Sequence, residues 1–311
     1  MSTIEVLPPE SFGYDFVLPP YLPEGGNEYY LRDEHFAGTL PSWRHLTGDE
    51  IDILVRNRNN CKNWDDVLVE DPFDITLFQD NLFAGLVRIR STQAMCLKFH
   101  DFTVPTGITH SRIISCDIGE SCAIHNCSYI SHYCIGNSVI MAWIDEMSCS
   151  NHAKFGEGII KDGEDEAVRV WIDPINEAGG RSVLPFRDMI CADAYLWATN
   201  RDDTVLMNRL KEITQEQGDT RRGHYGIVGD CCTIKSCRVI KDTFFGPHAY
   251  VKGANKLKNL TIKSSEDEKT QIGEGVELVN GIIGYGCHIF YGAMAVRFVL
   301  GNNSSLKYGA R

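Results

Sequence analysis

The sequence contains no apolar run of the ~18 residues that a membrane-spanning helix requires. Its N-terminus, MSTIEVLPPESFGYDF, has neither a basic segment nor an apolar one, so no signal peptide is legible. Positive charge is also scarce. Against 42 Asp and Glu stand 30 Lys and Arg, a net charge of −12 over 311 residues. That balance disfavours nucleic acid and anionic membranes as partners, because both are bound through clustered cations. There is no Ser-His-Asp order, no Walker motif and no zinc-ligand spacing. The twelve cysteines include the adjacent pair Cys231 and Cys232 but follow no metal-site pattern. Cys122, Cys134, Cys231, Cys237 and Cys287 fall where small residues are wanted, so they read as reduced packing residues of a cytoplasmic protein.

What the chain does have is a repeat. From Ile227 it reads IVGDCC, TIKSCR, VIKDTF, FGPHAY, VKGANK, LKNLTI. The first place is large and apolar except at Thr233, and the fifth is always small. The pattern predicts one short strand and one corner per unit, with the large residue filling the interior of a triangular parallel β-helix. The same grammar runs upstream from Ile118, Ile124, Ile130 and Ile135, and downstream from Ile272, Leu278, Ile283 and Ile289 to Leu306. The units ISHYC, LVNGI and AVRFV are each one residue short at the last place. Leu278 and Ala295 are 17 residues apart, so a coil there takes 17 residues.

The expected organisation follows. Residues 1–72 form an N-terminal arm and a capping helix, 73–153 the first coils, 154–224 an α/β insertion, and 225–311 the continuing coils. A capping box, Thr47 to Glu50, starts the helix at 48–58. In the insertion, KDGEDEAVRVWIDP reads as a hairpin turning at Asp162-Gly163, and RDMICADAYLWATN and DDTVLMNRLKEITQEQG read as helices. Lys263–Gln271 reads as a charged, solvated loop, and Asp117 and Glu120 as solvated corners. The last residues follow a repeat unit directly, with no capping element, so the chain reads as a piece of a longer protein.

The repeats resemble those of left-handed β-helix hexapeptide transferases. That resemblance alone implies the hand of the coil, an acyl transfer activity and a trimer with sites between subunits. Ile234, Ile240 and Phe244 are expected as apolar residues of the outer, trimer-forming wall. The stretches RHLTGDEIDILVRNRNNCKNWDDVLVEDPFDITLFQDNLFAGLVRIR and NEAGGRSVLPFRDMICADAYLWATNRDD are similar to a family of uncharacterised bacterial β-helix proteins, found chiefly in Bacteroidetes and spirochaetes. That family supplies no established catalytic residue.

Candidate chemistry therefore comes from residue types. A general base in acyl transfer is commonly a histidine. The histidines near the repeats are His125, His132, His152, His224, His248 and His288. His248 is favoured for its place on an outer wall, His152 and His224 because they flank the two junctions of the insertion. The bland alternative for each is an ordinary surface histidine. Glu177, Arg181, Arg221 and Arg222 are expected to form an anion site for a CoA or nucleotide-sugar pyrophosphate, against the alternative of a tight turn with surface ion pairs. The glycines of GEGVELVNGIIGYG follow the repeat and are corners, not a phosphate loop. The leading expectation is an acyltransferase-like enzyme acting on a sugar or nucleotide-sugar, with acyl-CoA or an acyl carrier protein as donor. The rival is a non-catalytic β-helix that binds a sugar-nucleotide or a protein partner.

Overall fold

Alternating apolar steps and turn residues build short strands, and in the computed structural model these stack into one large curled sheet. The structure describes residues 4–35, 41–174 and 179–311. Among them the main sheet has 22 strands, and its pairs are parallel apart from Arg44–His45 against Val67–Val69. Ile113 pairs with Ile130, Ile130 with Met147, Thr233 with Tyr250, Glu277 with Met294 and His288 with Ser305, so each partner lies 17 residues further on. This mostly β architecture, with few helices, is compatible with a β-solenoid.

The buried series runs Val228, Ile234, Ile240, Phe245, Val251, Leu257, Ile262, then Ile272, Leu278, Ile283 and Ile289. It corrects the six unbroken units read from Ile227. Ile227 and Val239 are only half-buried, whereas Ile234 and Ile240 are fully buried and Phe244 packs partly buried against the core. The physical reason is a five-residue step from Ile240 to Phe245. A 17-residue coil needs one short step in every turn, including this one. The three residues offered as an outer trimer wall therefore give a trimer no support. The same one-place slip leaves Cys231 exposed and buries Cys232; Cys122, Cys134, Cys237 and Cys287 are buried as expected, and all twelve cysteines are free. The other residues of the expected core, from Ile118 to Ile289, are buried.

The stack begins earlier than residue 73. Asn60–Cys61 pairs with the strand at Leu82, and Val67–Val69 with Val87–Ile89. Four α-helices are described: α1 (Tyr30–Glu34), α2 (Gly48–Arg56), α3 (Cys191–Thr199) and α4 (Thr204–Gln217). The Thr47–Glu50 capping box opens α2, whose Leu54 packs into the core with Val67 and Phe78. The hairpin expected at Asp162-Gly163 is a turn without flanking strands. Glu164 closes it locally, accepting from the Lys161 backbone N–H and from Lys154 Nζ, both at 2.8 Å. A two-stranded hairpin does occur at Cys96–Phe99 and Phe102–Pro105, where none was expected. The charged stretch after Lys263 adds four residues to one coil, so that Lys256 pairs with Glu277 and Tyr250 with Gln271. Its tip, residues 266–269, is exposed.

Asp117 is not a solvated corner. It is buried between Arg88, which contacts it at 2.6 and 2.7 Å, and Arg32 of the N-terminal arm. Glu120 is half-buried and ion-paired with Arg90. The arm lies along the sheet, burying Phe16 and Val17 with Cys134 and Tyr225.

Candidate active site

The insertion leaves the sheet after the strand Ile140–Ser148 and returns in Gly226–Val228. The outgoing chain first runs along the wall. Ser150 N–H donates to Asp242 Oδ1 at 2.6 Å, Gly156 N–H to Asn259 Oδ1 at 2.9 Å, and Thr261 Oγ1 to the Phe155 carbonyl at 2.7 Å. Gly156 lies so near the next coil that a Cβ would fall 2.2 Å from the Gly281 oxygen. The chain then turns outward, and Ile160 exchanges two hydrogen bonds with Gln215 of α4. A second small core of Ile172, Val183, Leu184, Met189 and Trp197 holds the insertion together.

Between this excursion and the wall lies a chamber of about 600 Å³. Phe155, Ile159, Phe186 and Phe244 supply its apolar surface; Glu157, Lys161, Arg187, Asp219 and His224 supply its polar groups. Lys161 is 4% exposed, and its Nζ donates to the Asp219 carbonyl at 2.5 Å. Burial pulls this amine down to about 8 from 10.5, partly offset by Asp219 and Glu157. His224 Nε2 is 3.2 Å from Asp219 Oδ2, but out of line for a hydrogen bond. Burial, reinforced by the Lys161 charge, lowers the imidazole to about 4, so it is neutral at neutral pH. Burial acts to raise the Asp219 carboxyl, yet hydrogen bonds from Arg221 hold it well below the usual range. Burial raises Glu157 in spite of Arg187 at 3.1 Å. Titratable groups displaced in opposite directions around one cavity are a common signature of a working site.

Residues 43–310 match the family described as a domain of unknown function, DUF4954. The chain belongs to that family. An uncharacterized protein of Treponema pallidum (strain Nichols) is 61% identical over 288 residues, which is 93% of this chain and 40% of that protein. The chain thus spans about two fifths of that relative's length. No solved structure is significantly similar. All the chamber residues of this DUF4954 chain fall within the matched segment.

Of the residues singled out from the sequence, His224 lines the chamber. His152 stands exposed at the outgoing junction, its Nδ1 3.0 Å from Asn151 Oδ1. His248 lies elsewhere, in a cleft of about 320 Å³ with Cys231, Lys98, Glu266 and Lys269. His125 is held by Thr109 and the Pro105 carbonyl, His288 sits beside Phe290, and His132 is buried against Phe16. Of the expected anion cluster, Arg181, Arg221 and Arg222 are each engaged with other protein groups. Arg181 Nη1 reaches the Ala198 carbonyl at the end of α3, at 3.4 Å. Arg221 pairs with Asp219 and with Glu34 of the arm; Arg222 donates to the Asp162 carbonyl and lies over Tyr21. Glu177 lies outside the described residues. Lys161, Asp219 and Arg187 carry no local motif, and Lys161 and Asp219 meet only in the folded insertion. Among the described residues no group of three or more His, Cys, Asp or Glu is placed to hold a metal, and no helix is long and apolar enough to cross a membrane.

Proposed function

We propose that this DUF4954 chain is part of an acyltransferase-like enzyme that acylates a sugar or nucleotide-sugar from an acyl thioester, and that the chamber is its active site. The proposed scaffold is a left-handed β-helix of the hexapeptide kind. The 17-residue spacing of parallel partners supports it, as do the corners at Ser121, Ser138, Cys231 and His248, with φ of 51° to 60°.

The observation that carries the reading is the Lys161 amine, buried beside an open chamber and lowered to about 8. Roughly a tenth of it is neutral at pH 7, which places a proton acceptor where a general base of tuned pKa is most effective. Neutral Lys161 takes the proton of the acceptor hydroxyl or amine, which attacks the thioester carbonyl. The carbonyl electron pair moves onto oxygen, facing the Arg187 guanidinium. As the tetrahedral centre collapses, the C–S bond breaks and the leaving sulfur takes the proton from the Lys161 ammonium. Ester or amide and free thiol are the products. His224, neutral, orients the acceptor.

Thiol release and product mass, measured with acyl-CoA donors and nucleotide-sugar acceptors, test the reading. Lys161→Met should lower kcat by at least about a hundredfold, and the wild-type rate should rise with pH up to about 8. An unchanged rate in Lys161→Met would sink the assignment. Nucleotide-sugar binding without turnover would favour the rival, a non-catalytic binding protein.

A further inference from the structure

Beside the chamber lies a second cavity of about 580 Å³, and Arg187 and Asp188 line both. This groove has a different chemistry. On the insertion side it is lined by Val183, Met189 and Ala194, on the wall side by Ile282, Val299 and Leu300. Charge is confined to Arg187, Asp188 and Lys263, and Lys263 is tied to Asp188 at 2.6 Å. The seam formed by these two adjoining cavities therefore has a polar, titratable chamber on one side of Arg187 and Asp188 and an apolar slot on the other.

We infer that the seam binds an amphiphile: a linear acyl chain in the slot between α3 and the wall, with its polar head group in the chamber. A sugar in the slot would lose water and find few hydrogen-bond partners, which is unfavourable. A hydrocarbon chain gains there by burial, and a thioester carbonyl at the Arg187 end would face the chamber that Lys161 also lines. The donor class is then a medium- or long-chain acyl thioester rather than an acetyl one. The inference rests on the acyl-transfer reading for the head group, but not for the chain.

Binding of saturated linear fatty acids from octanoate to tetradecanoate, below their micellar concentrations, tests the slot without turnover. Each methylene buried should tighten binding by about fourfold until the slot is full. Cys191 provides a second readout, since it is exposed and lines the slot. Saturating dodecanoate should slow its alkylation by N-ethylmaleimide at least tenfold, while Cys96 and Cys231, which do not line the slot, react at unchanged rates. Ala194→Phe, which fills the slot, should weaken dodecanoate binding by at least tenfold; the alkylation test on the wild-type chain stands should that variant not fold. Affinity independent of chain length, or Cys191 reacting equally with and without dodecanoate, overturns the inference. Chain-length dependence without acyl transfer would leave the slot standing and remove the proposed reaction. Turnover of acetyl and long-chain donors at equal rates, without Cys191 protection, would do the reverse.

Discussion

Arg32 and Asp117 form an ion pair almost wholly shielded from water, with 0% and 6% of their side chains exposed, across 85 residues of sequence. Burial alone would raise the Asp117 carboxyl; the guanidiniums of Arg32 and Arg88 instead hold it below its usual range. Arg32 also donates to the Cys116 carbonyl at 2.8 Å and lies 5.1 Å from the centre of the Tyr225 ring. Breaking one partner out of a buried ion pair costs about 3–5 kcal/mol. Arg32→Met should therefore lower the unfolding free energy obtained from urea titration by a comparable amount. It should also open the arm, residues 4–35, to proteases before the sheet is cut.

Acid should weaken the fold through two histidines. His132 stacks on Phe16 with ring centres 3.9 Å apart, and its buried Nε2 has no hydrogen-bond partner. Burial, then the Arg32 charge, lowers its pKa to about 3; His224 is lowered to about 4. Both unfolded-state values are near 6.5. Between those limits the unfolded chain binds the extra protons, so the contribution of these two histidines is full above pH 6.5 and is lost as pH drops towards 4. His132→Phe keeps an aromatic stack and does not titrate. On the order of 3 kcal/mol less should be lost over that window, read from urea midpoints at successive pH values.

Lys161 has the opposite charge balance to a stabilising ion pair. Its folded pKa of about 8 lies below the unfolded 10.5, so the unfolded chain holds the extra proton between those values. Stability should rise with pH across that window by about 3 kcal/mol on account of this residue. Subtracting the curve of Lys161→Met from that of the wild type should isolate the rise. A flat difference would mean the ammonium is solvated in the chamber.

Gly226 should tolerate no side chain. A Cβ there would fall 2.2 Å from Tyr133 Cε1 and 2.3 Å from Cζ. The Tyr133 ring is fully buried and cannot retreat freely, because its hydroxyl accepts from the Thr243 N–H at 3.2 Å. Gly226→Ala should cost about 2–3 kcal/mol by overpacking, measured as a loss of thermal midpoint with the far-UV spectrum retained.

The coil length was legible because it is written many times over, and short units such as LVNGI mark the five-residue step. The α2 start was legible because Thr47 and Glu50 satisfy each other's backbone locally. The phase at Ile227 was not. Ile227-Val228 and Val239-Ile240 place two β-branched residues side by side, and either could fill the core. Pairing decides it: Val228 lies opposite Ile135 and Phe245, both already inside. The chamber was legible only as a location. His224 was marked by its place at a junction, whereas Lys161 reads as a turn residue until Asp219 is brought to it by α4. Asp117 was misread because its compensating charge, Arg32, comes from an arm with no repeat of its own.

The outgoing segment of the insertion, residues 150–156, has a consequence for cooperativity. In a stack where each coil touches only its neighbours, coils can melt one after another from either end. Residues 150–156 act as a splint across that sequence. They leave next to Met147, are hydrogen-bonded in turn to Asp242, Asn259 and Thr261, and pass close against the backbone of Gly281. A coil that frays within this span strains fastenings on coils it never touches. The middle of the protein should thereby melt as one unit, the walls of the chamber included.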